Sequence, residues 1–225
     1  MDGKEDNDMK KAVIFDLDGT LLDTLEDLKD SVNVAMERNG LPGRSLEEVR
    51  QFVGNGIHNL IVRAAPEGTS AETVEQVFRD FRSYYMEHCE DKTCAYPGIP
   101  ELLEELKGRG ISMAIVSNKA DAAVKELAKG YFPQIKVAIG EREGIARKPA
   151  PDSVFEAMRL LGVKKEETLY VGDSDVDIAT AKNAELPCVA VTWGFREEEL
   201  LRSLNPNYII HQPEELLEVL SGTIR

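Results

Sequence analysis

The sequence is poor in residues that staple or equip many proteins of its size. Its 225 residues include three cysteines, at positions 89, 94 and 188. Three are too few for a disulfide framework, and their spacing matches no zinc motif. There are three histidines and one tryptophan, and aromatic residues make up 6% of the chain. Positive charge is also scarce. Lys and Arg number 27 against 41 Asp and Glu, which leaves a formal net charge of −14. Such a surface repels phosphate backbones and anionic lipid, so it argues against nucleic-acid and membrane-surface binding. No apolar run exceeds four residues, as in Ala12 to Phe15 and Cys188 to Val191. A membrane-spanning helix needs about 20. The opening MDGKEDNDM is polar and acidic and lacks the apolar stretch of a secretory signal. Residues 1–9 read as a flexible lead-in, and the reading is of a cytoplasmic protein in a reducing compartment.

What is present is a strong alternation of element types. KAVIFDLD from Lys11 is a short β-branched and aromatic run that ends in acids and has no helical period. ISMAIVSN from Ile111, TLYVGDSD from Thr168 and LPCVAVT from Leu186 repeat the pattern. IKVAIG from Ile135 and PNYIIH from Pro206 are shorter strand candidates. Amphipathic helical segments lie between them, at Pro100–Arg109, Ala120–Lys129, Asp152–Leu161, Val176–Ala184 and Pro213–Leu220. Alternating strands and helices predict a Rossmann-like α/β core with a parallel sheet. Residues 24–90 break that rhythm with four helical stretches and no strand, separated by Asn39-Gly40, Pro42-Gly43, Gly54-Asn55-Gly56 and Pro66-Glu67-Gly68. The expected organisation is a core of residues 1–22 and 93–225, with a small all-helical cap domain inserted at 23–92.

The chemistry concentrates at strand ends. Asp16-Leu17-Asp18-Gly19-Thr20 follows the first strand, Ser117-Asn118 ends another, and Gly172-Asp173 ends a third, with Asp175 and Asp177 just beyond. Lys148-Pro149 lies on a later loop. Ligands of open α/β sheets bind beyond the carboxyl ends of the strands. Turn or helix capping is the plain reading of an Asp-rich strand end, and it suffices for Asp175 or Thr20 alone. It does not suffice for the set, because carboxylates gathered at one edge repel each other and need a cation. A hard divalent ion with oxygen ligands fits, and Mg²⁺ commonly accompanies a phosphate substrate. With Lys148 as fixed positive charge and Ser117 and Asn118 as hydrogen-bond donors, the set suits phosphoryl transfer. Other chemistries lack their signatures: the chain has no G-x-x-x-x-G-K-[ST], no G-x-G-x-x-G after a strand and no G-x-S-x-G. His58, His88 and His211 sit in helical or tail contexts and read as surface or packing residues.

These motifs carry a resemblance. VIFDLDGTLLDT, IVSN, KPAP and GDSDVD, in that order from Val13 to Asp177, resemble the four motifs of the haloacid dehalogenase-like hydrolases. The chain is similar to the phosphatases among them that carry a small helical cap after the first motif. FVGNGIHNLI in the cap and VTWGF in the tail resemble the phosphoglycolate phosphatase-like branch.

The resemblance implies an enzyme, a phosphoric monoester hydrolase. It implies Asp16 as nucleophile and Asp18 as general acid and base. Ser117 and Asn118 would bind the transferring phosphoryl group, and Lys148 would neutralise it. Mg²⁺ would be held by Asp16, the backbone carbonyl of Asp18 and Asp173, with Asp177 in support. Gly19 lets the backbone approach the phosphate, and Gly54, Asn55 and Gly56 form a candidate substrate loop in the cap. The expected partner is a small phosphate ester, with 2-phosphoglycolate first, and the expected state is a monomer or weak homodimer. Pyrophosphatases, sugar-phosphate phosphatases and β-phosphoglucomutases share the scaffold and stand as alternatives. A receiver-like phospho-acceptor module is the non-enzymatic alternative.

Overall fold

The computed structural model describes residues 10–54 and 56–223, so the lead-in at 1–9 lies outside the described residues. The chain forms two compact units. One takes the residues up to Leu21 and those from Ala95 onward, and the other is Leu22–Cys94.

In chain order the elements are β1 (Ala12–Phe15), β2 (Leu22–Asp23), α1 (Leu25–Arg38), α2 (Leu46–Phe52), α3 (Ile57–Ala64), α4 (Ala71–His88) and β3 (Cys94–Ala95). There follow α5 (Ile99–Gly108), β4 (Ser112–Ala120), α6 (Asp121–Tyr131), β5 (Val137–Glu141) and α7 (Asp152–Leu161). The last are β6 (Thr168–Gly172), α8 (Asp175–Ala184), β7 (Cys188–Val191), α9 (Glu198–Ser203), β8 (Tyr208–Ile210) and α10 (Glu215–Leu220).

Six strands make one sheet in the order β5-β4-β1-β6-β7-β8, and β2 with β3 makes a separate two-stranded sheet. Every pairing in the large sheet is parallel. Ala12 stands opposite Ser112 on one side and Thr168 on the other, which places β1 between β4 and β6. The chain first builds outward through β4 and β5, then crosses β1 to build through β6, β7 and β8. That reversal makes the carboxyl end of β1 the topological switch point, where such sheets bind ligands.

The expected strands form, and their continuous apolar runs have the reason foreseen. Ile14, Ala114, Val116, Tyr170, Cys188 and Ala190 join one buried cluster with Val154 and Ala157 of α7 and Ile178 and Ala181 of α8. Their sequence neighbours Val13, Phe15, Ile115, Val171 and Val189 point the other way and are also buried. Both faces of the sheet are therefore covered. Two-residue strands have no period to read, and α9 is only six residues long, so these elements left no clear pattern in the sequence.

The helical unit builds its own core. Helix α1 buries Leu25, Leu28, Val32, Ala35 and Met36, and α4 buries Val77, Phe81 and Tyr85 at intervals of four. The Phe81 and Tyr85 rings stack with centroids 5.2 Å apart. Ser45 and Glu48 form a reciprocal capping box at α2, and Ser70 caps α4.

One buried charge in this unit has a structural task. Asp27 in the first turn of α1 is 3% exposed. Its carboxylate accepts the Lys92 N–H at 3.0 Å and, at 2.8 Å each, the Thr93 N–H and hydroxyl. Asp27→Ala strands these donors and is expected to lower stability by about 3 kcal/mol. Asp27→Asn, whose side-chain carbonyl still accepts, is expected to cost less. The midpoint and slope of urea unfolding would check both.

Candidate active site

The site assembles because three strands of the sheet end side by side. Asp16 directly follows β1, and its N–H still donates to the Val171 carbonyl at 2.9 Å, so the ladder pins its backbone. Asp173 follows β6, and Asp177 lies in the first turn of α8. One ligand oxygen from each of Asp16, Asp173 and Asp177 lies within 4.8 Å of the others, and all three residues are buried. Lys148 reaches in from the loop before α7. Its Nζ donates to Oδ1 of Asp16 at 2.7 Å, to Oδ1 of Asp177 at 2.8 Å and to the Tyr170 hydroxyl at 3.1 Å.

The electrostatics follow from burial and crowding. Burial raises the Asp16 carboxyl well above the usual carboxylate range; Asp177 and Asp173 push the same way, and Lys148 opposes them. Burial and the charge of Asp177 likewise raise Asp173, to about 7. For Lys148 burial opposes the charge, but Asp16 and Asp177 outweigh it and hold the ammonium well above the usual lysine range. One buried lysine does not offset three carboxylates, so the centre has an unmet demand for positive charge. Its donors are all oxygens, with no sulfur or imidazole among the three, which suits a hard divalent cation such as Mg²⁺.

The three carboxylates are not equivalent in this respect. Asp177 already accepts from Lys148 and Tyr170 on Oδ1 and from the Ser174 N–H and hydroxyl on Oδ2. It closes a capping box on α8 and supports Lys148 from behind. The same side chain thus caps α8 and braces Lys148. All three could hold a cation, and Asp16 and Asp173 accept fewer hydrogen bonds than Asp177.

Asp173 is held by loops that spacing did not single out. The Thr20 hydroxyl donates to its Oδ1 at 3.3 Å and the Phe195 N–H to its Oδ2 at 2.7 Å. Trp193 Nε1 donates to the Thr20 carbonyl at 3.0 Å, tying the loop after β7 to the loop after β1. Two glycines make the approach feasible. At Gly19, where φ is +90°, an added Cβ would lie 2.4 Å from Oδ2 of Asp173. At Gly194 it would lie 2.3 Å from Cβ of Asp173 and 2.4 Å from the Gly19 carbonyl oxygen.

The β4 residues divide their tasks. Ser117 is buried, and its hydroxyl accepts the Lys119 N–H at 3.1 Å. The resemblance implies that Asn118, together with Ser117, binds the phosphoryl group. In the structure its side chain brackets the peptide of Lys148, accepting the Lys148 N–H at 2.8 Å and donating to the Lys148 carbonyl at 3.0 Å. It seats the lysine. Lys119 is a third polar residue here, unremarked in the sequence, and it donates from Nζ to Oδ1 of Asp18 at 2.9 Å. Tyr170 was also missed, because a tyrosine inside an apolar strand reads as core.

In the helical unit Gly56 caps α3, and the Gly54 carbonyl accepts from Arg63 at 3.4 Å. Asn55 lies outside the described residues. Arg142 pairs with Asp121 at 3.6 Å and Glu156 at 3.8 Å, and Arg147 pairs with Glu141. No helix among the described residues is long and apolar enough to cross a membrane.

Fold and site together define a parallel α/β protein with a cation-ready acidic centre at its topological switch point. Residues 13–191 match the haloacid dehalogenase-like hydrolase family. A phosphoglycolate phosphatase of Pseudomonas savastanoi pv. phaseolicola is 35% identical over 219 residues, covering 93% of this chain and 79% of that protein. One from Aquifex aeolicus is 31% identical, covering 95% of this chain and 98% of its own. A crystal structure from Lactobacillus delbrueckii subsp. bulgaricus superposes with a TM-score of 0.90 at 36% identity, over 94% of this chain and 98% of that one. The chain belongs to the haloacid dehalogenase-like hydrolases, in their phosphoglycolate phosphatase-like branch.

The packing around Asp173 yields a direct test. Gly194→Ala must displace either Asp173 or the Gly19 carbonyl, since contacts of 2.3 and 2.4 Å are untenable. Mg²⁺ affinity measured by calorimetry is expected to fall at least about tenfold, equivalent to about 1.4 kcal/mol.

Proposed function

We propose that this protein is a Mg²⁺-dependent phosphatase that hydrolyses a small phosphomonoester through an aspartyl-phosphate, with 2-phosphoglycolate as its best substrate. The observation that carries the reading is Asp16. Its buried carboxylate stands at the switch point with Lys148 at 2.7 Å, in a chain that matches a hydrolase family. Phosphoryl transfer asks for positioning and charge stabilisation more than for elaborate covalent chemistry.

Asp16 attacks phosphorus in line. The new bond joins its carboxylate oxygen to phosphorus as the ester bond to the leaving oxygen breaks. Lys148 offsets charge on the attacking group and on the phosphoryl oxygens. The Ser117 hydroxyl, Asn118 and the backbone N–H groups of Leu17 to Gly19 hold the remaining oxygens. Asp18 gives its proton to the leaving alkoxide. It then takes one from the water that attacks the phosphoenzyme, which frees phosphate and restores Asp16. Mg²⁺, held by Asp16, the Asp18 carbonyl and Asp173, would neutralise developing negative charge during transfer. Asp177 keeps Lys148 in place. The helical unit Leu22–Cys94 serves as a cap that limits water and selects the leaving group, with Gly54, Asn55 and Gly56 as its substrate loop.

The choice of 2-phosphoglycolate is supported by the names of relatives at 35 and 31% identity over more than nine-tenths of this chain. The core motifs do not discriminate leaving groups, so the cap must. The net charge of −14 slows encounter with a dianionic or trianionic ester unless the site is locally positive, a role for the bound cation and Lys148.

Asp16→Asn retains the shape of the side chain but removes the nucleophile and a cation ligand. Turnover is expected to fall by about 10⁴-fold or more with the thermal midpoint preserved within a few degrees. Activity near that of the wild type would exclude Asp16 as nucleophile. A panel of 2-phosphoglycolate, pyrophosphate, β-glucose 1-phosphate, hexose 6-phosphates and nucleoside monophosphates, assayed with Mg²⁺ for released phosphate, is expected to give the highest kcat/KM for 2-phosphoglycolate. Another compound better by about tenfold, or about 1.4 kcal/mol of transition-state binding, would reassign the substrate. Interconversion of sugar phosphates without phosphate release would mark a mutase. A single phosphate per chain would mark a receiver.

A further inference from the structure

Strand β4 departs from its neighbour at the site. Ala114, Ile115 and Val116 pair in step with Val137, Ala138 and Ile139 of β5, but Ala120 then stands opposite Glu141. Four residues of β4 advance where β5 advances two. The excess falls on Ser117, Asn118 and Lys119. Irregularities of this kind re-aim side chains beside functional sites. Here three consecutive polar residues all engage the same carboxyl edge. Ser117 takes the Lys119 N–H on its hydroxyl, Asn118 brackets Lys148, and Lys119 sends Nζ to Oδ1 of Asp18 at 2.9 Å.

The Lys119–Asp18 pair is unusual in its burial. The lysine side chain is 4% exposed and the aspartate side chain 19%. Withdrawing both charges from water is costly, and for stability alone an apolar pair of similar volume commonly does as well or better. The arrangement also parallels the one beside it. Lys148, shared with Asp177, contacts Asp16, and Lys119 contacts Asp18, so each carboxylate of the Asp-Leu-Asp sequence lies against a buried ammonium. An aspartate side chain has two free torsions. Proton exchange with a leaving oxygen and then with a water needs one oxygen held within a narrow range of positions.

We propose that Lys119 is a positioning residue for Asp18. By holding Oδ1 it keeps Oδ2 aimed at the leaving-group oxygen and then at the attacking water. This rests on the role of Asp18 given above. The step that suffers most without Lys119 is hydrolysis of the phosphoenzyme, because no good leaving group relieves the need for a base there.

Pre-steady-state hydrolysis of p-nitrophenyl phosphate with Mg²⁺ separates the two half-reactions. Asp18→Asn is expected to release about one nitrophenol per chain rapidly and then turn over slowly. Lys119→Met is expected to show the same shape in milder form. Its burst rate should stay within about threefold of the wild type while steady-state turnover drops about 10- to 100-fold, part of the 10²- to 10⁴-fold that general acid–base groups contribute. Lys119→Arg, which retains the charge, should recover most of that loss. In the Asp18→Asn background, Lys119→Met should cost less than about twofold more, since a residue that acts only through Asp18 has nothing left to act on.

The burst amplitude counts competent sites, so a misfolded fraction lowers it without altering the ratio of the two rates. Should Lys119→Met not fold, Lys119→Gln and Lys119→Arg carry the same comparison. Equal losses in both phases, no loss at all, or a full further loss in the Asp18→Asn background would each overturn the assignment to Lys119 alone. Wild-type turnover by Asp18→Asn itself would instead remove the role of Asp18, and this inference with it.

Discussion

The constraint on which the rest of the structure depends is the burial of Asp16, Asp173 and Asp177 within 4.8 Å of one another around Lys148. Carboxylates brought this close out of water raise each other's proton affinity, and Asp173 rises to about 7. A fold can hold such a cluster only if its backbone is stiff and its carboxylates are braced by neighbouring donors. The surrounding architecture meets both needs. The β1–β6 ladder pins Asp16, the α8 cap pins Asp177, and the Thr20 hydroxyl and Phe195 N–H pin Asp173. Residual repulsion is then a standing attraction for a divalent cation and, with it, a phosphate.

The same constraint explains why residues far apart in the chain pack so tightly. Trp193 bonds to Thr20 across 173 positions of sequence, and Gly194 lies against both Asp173 and the Gly19 carbonyl. Asn118 seats Lys148 from a distance of 30 residues through paired bonds to its peptide. These contacts do no chemistry. They set where the charged atoms stand, and a displacement near 1 Å at such a site is enough to cost orders of magnitude in rate. The helical unit is organised separately, with its own apolar core and with Asp27 securing the segment at Lys92 and Thr93.

Much of this was legible in the residues. The β-branched runs of β1, β4, β6 and β7 and the amphipathic stretches between them announced a parallel sheet, because a strand covered on both faces must be apolar throughout. The three polar motifs at strand ends, with the Lys148 loop, pointed to one edge, since parallel strands share a direction. Other features left no readable trace. Tyr170 looked like core, and it is core as well as a hydrogen-bond donor to Asp177. Lys119 follows the Ser-Asn motif, and nothing local marks its pairing with Asp18. No local pattern says that the Asn118 amide matches the backbone of Lys148.

The sequence by itself determined the kinds of element, the order in which they come and the chemistry concentrated at their ends. Those follow from short-range causes: period, propensity, and the incompatibility of clustered carboxylates without a cation. The tertiary structure alone decided which carboxylates converge and which are already satisfied by neighbours. It also decided which lysine serves which aspartate. The irregularity at Ser117–Lys119 arises from the register of β4 against β5, a relation between two strands that neither strand's residues encode alone. Pairing of charges across 101 and 132 positions, as in Lys119 with Asp18 and Lys148 with Asp16, is a product of strand order. Strand order is set by how the whole chain covers its sheet, and no window of sequence contains it.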